Sequence, residues 1–141
     1  MESVHEQSAE FSHDLLAHAS RLLVQTWNQY LTGVGVTYAG YLALSAAAER
    51  PIAHQAALAE ALHVRTPTIG YTLDRLEHQG HVRTFRRSAD MRYRMVRVTT
   101  RGHEILRKGQ EIERSLLAGA EGLRAQLLQL LPQLLQQPGA A

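Results

Sequence analysis

Hydrophobic residues recur every three or four positions over most of the chain, and glycine or proline interrupts this pattern at a few places. The first long run predicts a helix over about Ser8 to Leu31. The segment TGVGV at 32–36 breaks that helix, and a second helix is predicted from Thr37 to about Glu49. Pro51 closes the second helix, so the sequence predicts that a new unit begins there.

Two short helices joined by a tight turn are predicted in this new unit. Alanine and leucine recur at helical spacing over Gln55 to Leu62, and His63 and Val64 then interrupt them. A further helix is predicted to start at Thr66 and Pro67. Thr66 is expected as its N-cap and Pro67 in its first helical position.

The helix that starts at Thr66 has two different faces. Its apolar face consists of Ile69, Leu73 and Leu76, and Gly80 stands where a C-cap glycine belongs. Groups that hydrogen-bond to base edges or phosphates occupy the opposite face: Thr68, Tyr71, Thr72 and Arg75. Two interpretations fit the helices alone. They form either a helix-turn-helix whose second helix contacts DNA, or an ordinary helical hairpin on a domain surface.

A basic β-hairpin is predicted directly after these helices. His81 to Phe85 and Arg94 to Val98 are short runs of β-forming residues, and a polar loop joins them. From Arg83 to Arg101 the chain has seven arginines and one acid, Asp90, whereas the formal net charge of the whole chain is +2. Charge concentrated in this way favours a phosphate backbone, since binding releases counterions. A solvated run of charge is the alternative.

The segment DRLEHQGHV, followed by RRSADMRYRMVRVTTRG, resembles the MarR family of winged-helix transcription regulators. In that family a helix ending in D-R-L-E-x-x-G precedes a wing with D-x-R at its tip, and a threonine and a glycine open the next helix. The matching positions are Asp74, Arg75, Leu76, Glu77, Gly80, Asp90, Arg92, Val96, Val98, Thr99 and Gly102. The spacing matches without a gap from Val64 to Gly102.

The resemblance implies a single domain that is mainly α-helical, with a small β-hairpin wing. Residues 51–99 are expected to form the winged helix-turn-helix lobe that binds DNA. Residues 1–50 and 100–137 are expected to form N- and C-terminal dimerisation helices. Three positions depart from the family pattern: Met91 replaces an arginine at the wing tip, His63 replaces a turn glycine, and Tyr71 stands where many members carry an arginine. These departures bear on which base sequence is preferred.

The resemblance also implies how DNA is contacted. Two recognition helices of a homodimer are expected to enter successive major grooves of a palindromic operator, about 34 Å apart. Base-edge contacts are expected from Thr66, Thr68, Tyr71 and Arg75, with Pro67 and Gly70 permitting close approach. Arg92 is expected in the minor groove and held by Asp90. Phosphate contacts are expected from Arg86, Arg87 and Arg94.

The C-terminal part is predicted to be helical and rich in leucine. A helix capped by Thr99 or Thr100 is expected to extend through Leu116, and Gly119 and Gly122 mark a break. A final helix is predicted over Leu123 to Leu135, with a kink or an early end at Pro132. An amphipathic membrane helix is the alternative to subunit packing. Subunit packing is favoured because Arg124 is the one basic residue between 123 and 137.

A small-molecule effector is a further expectation. MarR-family members often bind small aromatic or phenolic compounds in a crevice between the dimer helices and the DNA-binding lobe. Aromatic residues near the expected crevice are Trp27, Tyr30, Tyr38 and Tyr41. Aromatic residues at helical spacing are more often part of a core, which is the alternative for this group. The resemblance implies repression more often than activation.

Composition narrows the remaining classes. The chain has no cysteine, which excludes disulfides and thiol-based redox switching. Its eight histidines form no tight ligand motif, so no metal or other cofactor is predicted. Two histidine groups keep a metal-responsive regulator as a minor alternative: His5, His13 and His18 in one, and His78 and His81 in the other.

The remaining sequence features bear on catalysis, on localisation and on sequence-indifferent DNA binding. The glycine cluster TGVG fits no phosphate-loop spacing, and no catalytic constellation is present, so an enzyme is not predicted. The polar start and the absence of a bilayer-length apolar run predict a cytoplasmic protein without a membrane segment. A sequence-indifferent architectural DNA-binding protein is a further alternative, because it would share the basic wing.

Overall fold

The computed structural model describes residues 12–87 and 90–138, and at residues 87 and 90–92 it describes the backbone alone. The elements, in chain order, are α1 (Ser12–Leu31), α2 (Tyr38–Ala48), β1 (Ala53–His54), α3 (Gln55–Ala61), α4 (Thr66–His78), β2 (Val82–Arg87), β3 (Asp90–Val98), α5 (Thr100–Leu116) and α6 (Leu123–Leu135). This mainly α-helical fold with a small antiparallel sheet confirms the predicted fold class.

The first two helices follow the predicted pattern. The part of the first predicted helix that precedes Ser12 lies outside the described residues. Thr32–Val34 forms one turn of 3-10 helix, and Gly35 has a positive φ of 72°. Thr37 caps α2, since its side-chain oxygen accepts a hydrogen bond from the Gly40 amide at 3.1 Å. The two-glycine segment therefore redirects the chain between the helices, as predicted.

The start of α4 differs from the prediction by one residue. Arg65, not Thr66, is the N-cap, because the first helical hydrogen bond runs from the Ile69 amide to the Arg65 carbonyl at 3.2 Å. Thr66 is the first helical residue and Pro67 the second. A proline is tolerated there because amides throughout the first turn have no partner within the helix. In the preceding turn His63 has a φ of 53°, at the position where the family commonly has glycine.

The sheet has the strand order β1-β3-β2, and all its pairs are antiparallel. Strands β2 and β3 form the wing and are longer than the runs predicted from the sequence. Their pairing is regular from Val82↔Val98 to Arg86↔Arg94 and shifts before the Arg87↔Asp90 pair. Strand β1 was not predicted, because two residues are too few to show an alternating pattern. It places Ala53 opposite Val96 and so attaches the wing to the helices.

One hydrophobic core joins the helix-turn-helix, the base of the wing and α2. The largest side chains with essentially no exposed surface are Leu31, Leu44, Leu73, Leu76, Val82 and Val96. The predicted apolar face of α4 is confirmed, since Ile69, Leu73 and Leu76 are all at most 2% exposed. The recognition helix and the wing therefore rest on the same buried side chains.

Of the two C-terminal helices, α5 contributes Ile105, Leu106 and Ile112 to this core, whereas no residue of α6 is buried. Thr99 caps α5 by accepting from the Gly102 amide at 3.1 Å and donates its hydroxyl to the Gly80 carbonyl at 2.6 Å. The possible early end of α6 at Pro132 is wrong, since the helix continues to Leu135 and the Gln136 amide donates to the Pro132 carbonyl at 3.2 Å. Proline removes one donor, but its carbonyl still accepts from the following turn.

No single helix among the described residues is long and apolar enough to cross a membrane. One pair of consecutive helical segments, Ser12–Val34 and Tyr38–Ala48, is long and apolar enough when the two are taken together, and they meet at an angle of 82°.

Gly102 gives a test of the close packing between α5 and the end of α4. A Cβ at Gly102 would lie 2.2 Å from the His81 carbonyl oxygen and 2.7 Å from Val98 Cγ1. We expect Gly102→Ala to lower the free energy of unfolding by about 1–3 kcal/mol, because the backbone must shift. Denaturant unfolding measures this change. Gly33→Ala is the control, since no atom lies within 4 Å of its Cβ position, and equal stability of both variants would contradict the packing.

Candidate nucleic-acid interface

The recognition helix α4 presents its polar side to solvent. Tyr71 is 76% exposed, and Thr68 and Arg75 are also exposed. Pro67 and Thr66 are exposed at the start of the same helix. The structure thus brings together, on one accessible helix, the residues for which base-edge contacts were predicted. Because the opposite face is locked in the core, the position of this surface is fixed by packing.

Gly70 lies on the flank of α4 that faces α3. Gln55 fills the space beside it, with its Nε2 atom 3.0 Å from the position of a Cβ. The same amide group donates to the Thr66 carbonyl at 3.3 Å. Gly70 was predicted to permit close approach of DNA. The neighbour that approaches it within this chain is Gln55.

Arg94 of the wing faces the recognition helix. Its guanidinium lies 2.7 Å from the Asp74 carboxylate and 3.9 Å from that of Glu77, and its side chain is only 13% exposed. Glu77 also accepts a hydrogen bond from the Thr84 amide of β2. The sequence had indicated a phosphate contact for Arg94, and this ion pair within the chain was not foreseen.

The remaining described arginines of the wing are exposed. Arg83 and Arg97 lie directly opposite each other on β2 and β3, and Arg97 stands over the Phe85 ring at 5.8 Å from its centroid. Like charges on opposite positions of neighbouring strands repel each other. An anionic partner would relieve this repulsion. Arg86 is exposed near the tip.

The wing tip holds the other predicted contacts. The side chains of Arg87, Asp90 and Arg92 lie outside the described part of the structure. Their expected roles at phosphates and in the minor groove stay predictions.

His81 lies at the junction between the recognition helix and the wing. Its side chain is 3% exposed, and its Nδ1 atom has no hydrogen-bond partner among the described residues. Burial, and secondly the nearby Arg101 charge, lower the pKa of His81 and so favour the neutral ring. Its backbone amide donates to the Leu76 carbonyl at 2.8 Å, and its carbonyl accepts from the Thr99 amide at 3.0 Å. His81 therefore fixes the turn between α4 and β2.

The histidines do not assemble a metal site in the part of the chain that the structure describes. No three histidine, aspartate or glutamate side chains come together there. His13 lies 3.0 Å from the Asp14 carboxylate, and both are exposed. His5 lies outside the described residues.

Three of the four aromatic residues suggested for an effector site form a stack, in which Trp27 and Tyr41 are buried and Tyr38 is partly buried. The Trp27 ring lies 5.1 Å from Tyr38 and 4.8 Å from Tyr41, between ring centroids. Tyr41 occupies the space over Gly109, where a Cβ would lie 1.9 Å from its ring. Burial, with a smaller effect of the Glu113 charge, raises the pKa of both tyrosines. Tyr30 is 51% exposed and lies outside the stack, so this group packs mainly as core.

A cleft of about 340 Å³ lies instead between the start of α2 and the recognition helix. Residues from both sides line it, among them Thr37, Gly40, Thr68, Tyr71, Arg75 and Gln79. Gln79 spans the end of the cleft by donating its side-chain amide to the Gly35 carbonyl at 2.5 Å. This cleft could not be predicted from the sequence, because its two walls are more than twenty residues apart and come together only in the folded chain.

Known proteins resemble this chain in sequence and in fold. The sequence model of the MarR family matches residues 36–93, from the residue before Thr37 to the outer part of β3. No curated protein matches the chain.

Solved structures extend the likeness over nearly the whole chain. Overoxidised AbfR bound to DNA is 25% identical, with a TM-score of 0.73 over 95% of this chain and 99% of that chain; AbfR is a protein of Staphylococcus epidermidis. BldR from Sulfolobus solfataricus is 24% identical, with a TM-score of 0.71 over 96% and 98%. A MarR variant from E. coli in complex with operator DNA is 24% identical, with a TM-score of 0.69 over 87% and 92%.

The match over residues 36–93, together with the fold shared along the chain, makes this protein similar to the MarR family of regulators.

Proposed function

We propose that this protein is a transcriptional repressor that binds a palindromic operator as a homodimer and leaves it when a small molecule binds. The observation that carries the proposal is the exposed polar face of α4, with Thr68, Tyr71 and Arg75, beside an arginine-rich wing. A rigid helix with hydrogen-bonding side chains suits the major groove, and exposed arginines suit the phosphates and the minor groove. The structures of AbfR and MarR with DNA support the same use of the fold.

Specific recognition is favoured over sequence-indifferent binding by what the exposed face contains. Hydroxyl groups and a guanidinium form directed hydrogen bonds with base edges. Tyr71 offers a ring that contacts thymine methyl groups or stacks against sugar. An architectural binder relies on backbone charge and on apolar wedges inserted between base steps. The exposed face of α4 instead offers the hydrogen-bonding groups of Thr68, Tyr71 and Arg75.

The first test is selection of bound fragments from a random DNA pool, followed by competition with scrambled sequence. We expect one two-fold symmetric motif whose half-sites lie about one helical turn apart. Fragments without a shared motif, bound equally well in competition, would contradict sequence-specific regulation and favour the architectural alternative.

A reporter gene tests repression. With the selected operator placed over its promoter, we expect reporter output to fall when the protein is present; higher output would indicate an activator.

Arg92→Ala tests the wing on the selected operator. We expect binding to weaken by about 1–3 kcal/mol, because one charged contact in the minor groove is lost. Arg107→Ala is the control, since Arg107 is exposed on α5 and carries the same charge. Fluorescence anisotropy at fixed salt measures both affinities. Equal affinity of Arg92→Ala and the unmodified protein would exclude a role for Arg92 at the groove.

The homodimer is supported by apolar surface that one chain leaves uncovered. None of the residues of α6 is buried, although leucines fill one side of this helix. Leu128, Leu131 and Leu134 are 53%, 46% and 49% exposed, and Leu15 on α1 is 67% exposed. Contiguous apolar surface on a folded chain marks an interaction site. A second copy offers the same leucine-rich face, as a two-fold interface requires.

Leu131→Asp tests this interface. A carboxylate placed in an apolar interface loses hydration without gaining a partner, so we expect the dimer dissociation constant to rise at least about tenfold. Gln129→Asp is the matched control, because the glutamines of α6 follow the opposite side of the helix from the leucines. Sedimentation at several protein concentrations measures the dissociation. Similar dimers in both variants would show that α6 does not hold the subunits together.

The effector is proposed to occupy the cleft between α2 and α4, not the buried aromatic stack. Arg75 supplies a positive charge, Thr68 and Thr72 supply hydroxyls, and Val36 and Tyr71 supply apolar surface. This combination suits an aromatic acid or a phenol. Because Thr68, Tyr71 and Arg75 also belong to the DNA-facing surface, a ligand that engages them competes with the operator. Differential binding of this kind is what coupling between two ligands requires.

A panel of aromatic carboxylates and phenols tests the cleft. We expect at least one compound to raise the unfolding temperature and to release the bound operator. Ala39→Trp should abolish both effects, because its indole ring occupies a cleft whose rim holds the exposed Ala39, whereas Ala39→Ser should preserve them. Release that persists in Ala39→Trp would place the effector elsewhere. If no compound releases the operator, the effector proposal fails.

A further inference from the structure

The recognition helix carries two acids on the flank that faces the wing. Asp74 and Glu77 are 67% and 42% exposed in their side chains. Carboxylates beside a surface that contacts phosphates repel DNA, so their presence on α4 needs a physical reason. Their contacts with the wing supply one.

Arg94 is the partner of both acids. Its guanidinium reaches Asp74 at 2.7 Å and Glu77 at 3.9 Å. At 13% exposure it is far less accessible than Asp74, and its charge is already balanced by the two carboxylates. A guanidinium so placed contributes little to the attraction of phosphates. Glu77 adds a second link, since it accepts the Thr84 amide of β2.

We propose that Arg94 is a positioning residue that fixes the angle between the wing and the recognition helix through Asp74. The helix and the wing then meet the major groove and the neighbouring groove as one rigid body. Without the pair, the Glu77–Thr84 hydrogen bond and the buried base of the hairpin alone hold the wing against the helix. The outer part of the wing must then be ordered on binding at an entropic cost. This inference rests on the proposed DNA-binding function. It replaces the phosphate contact predicted for Arg94 from the sequence.

The two roles of Arg94 make opposite predictions for Asp74→Asn. If Arg94 contacts a phosphate, the substitution removes a repulsive charge and frees the guanidinium, so DNA binding tightens. If Arg94 positions the wing, the same substitution loosens the pair and DNA binding weakens, although the protein has become more positive. The sign of the change therefore decides between the roles.

The experiment measures operator affinity for the unmodified protein, Asp74→Asn, Arg94→Met and the double variant over a range of salt concentrations. We expect each single variant to bind the operator at least about fivefold more weakly than the unmodified protein. The affinity of the double variant should lie within about twofold of the single variants, because both substitutions break the same pair. We expect the salt slope of Arg94→Met to stay unchanged, whereas loss of a phosphate contact lowers it by about 0.9. Arg94→Lys should recover part of the affinity, because the ammonium ion still pairs with Asp74.

Glu60→Gln is the matched control, since it removes one exposed acid from α3 in the same lobe. It should leave affinity unchanged or tighten it slightly. Circular dichroism and the unfolding midpoint establish that every variant is folded. Tighter binding by Asp74→Asn, together with a lower salt slope for Arg94→Met, would overturn the proposal.

Failure of the positioning role of Arg94 can be told apart from failure of the proposed DNA-binding function. If the unmodified protein selects no operator, the proposed function fails on that result alone. The same four proteins then still test the ion pair through their unfolding free energies, in which coupling between positions 74 and 94 is expected. Additive effects on unfolding would show that the pair does not hold the wing against the helix.

Discussion

The structure depends on one shared layer of buried side chains beneath the recognition helix and the wing. Leu73 and Leu76 of α4 belong to the same core as Val82 of β2 and Val96 of β3. Burying such side chains contributes roughly 1.5–3 kcal/mol each, which is large compared with the ion pairs on the surface. The polar faces of both elements are therefore presented from a common base. Hydrogen bonds at the His81 turn and the Arg94 ion pair refine an orientation that apolar packing has already set.

The position of the cleft against the recognition helix α4 affects how a ligand and DNA bind together. Thr68, Tyr71 and Arg75 line the cleft and also form the exposed face of α4. A ligand and an operator that both use these residues exclude each other without any large movement of the chain. The buried Trp27 stack has no such connection to the DNA-facing surface. Its role is to attach α1 to α2, and Gly109 of α5 makes room for Tyr41 in the same place.

Periodicity and turn chemistry predicted most elements within one or two residues, because each depends on neighbours in the sequence. The apolar face of α4 and the Thr99 cap are examples. Features that depend on tertiary contacts were not predictable in this way. Strand β1 has only two residues and exists because β3 lies beside it. Arg94 looked like the other wing arginines, since only the folded chain brings Asp74 to it. Gln55 lies beside Gly70 only in the folded chain, and the close approach of DNA predicted at Gly70 stays a prediction. The cleft likewise arises only where α2 meets α4.

Gly102 packs so closely against the His81 carbonyl that a rotation of α5 moves the end of the recognition helix with it. At 17 residues this helix is about 25 Å long, and its first turn rests directly on the turn that ends the recognition helix. Because Gly102 has no side chain, the backbone of α5 packs directly against this turn. In a dimer held together near the far end of α5, a rotation of about 10° there displaces the near end by about 4 Å, given that length. In such a dimer, the spacing of the two recognition helices changes with small changes of angle at the subunit interface.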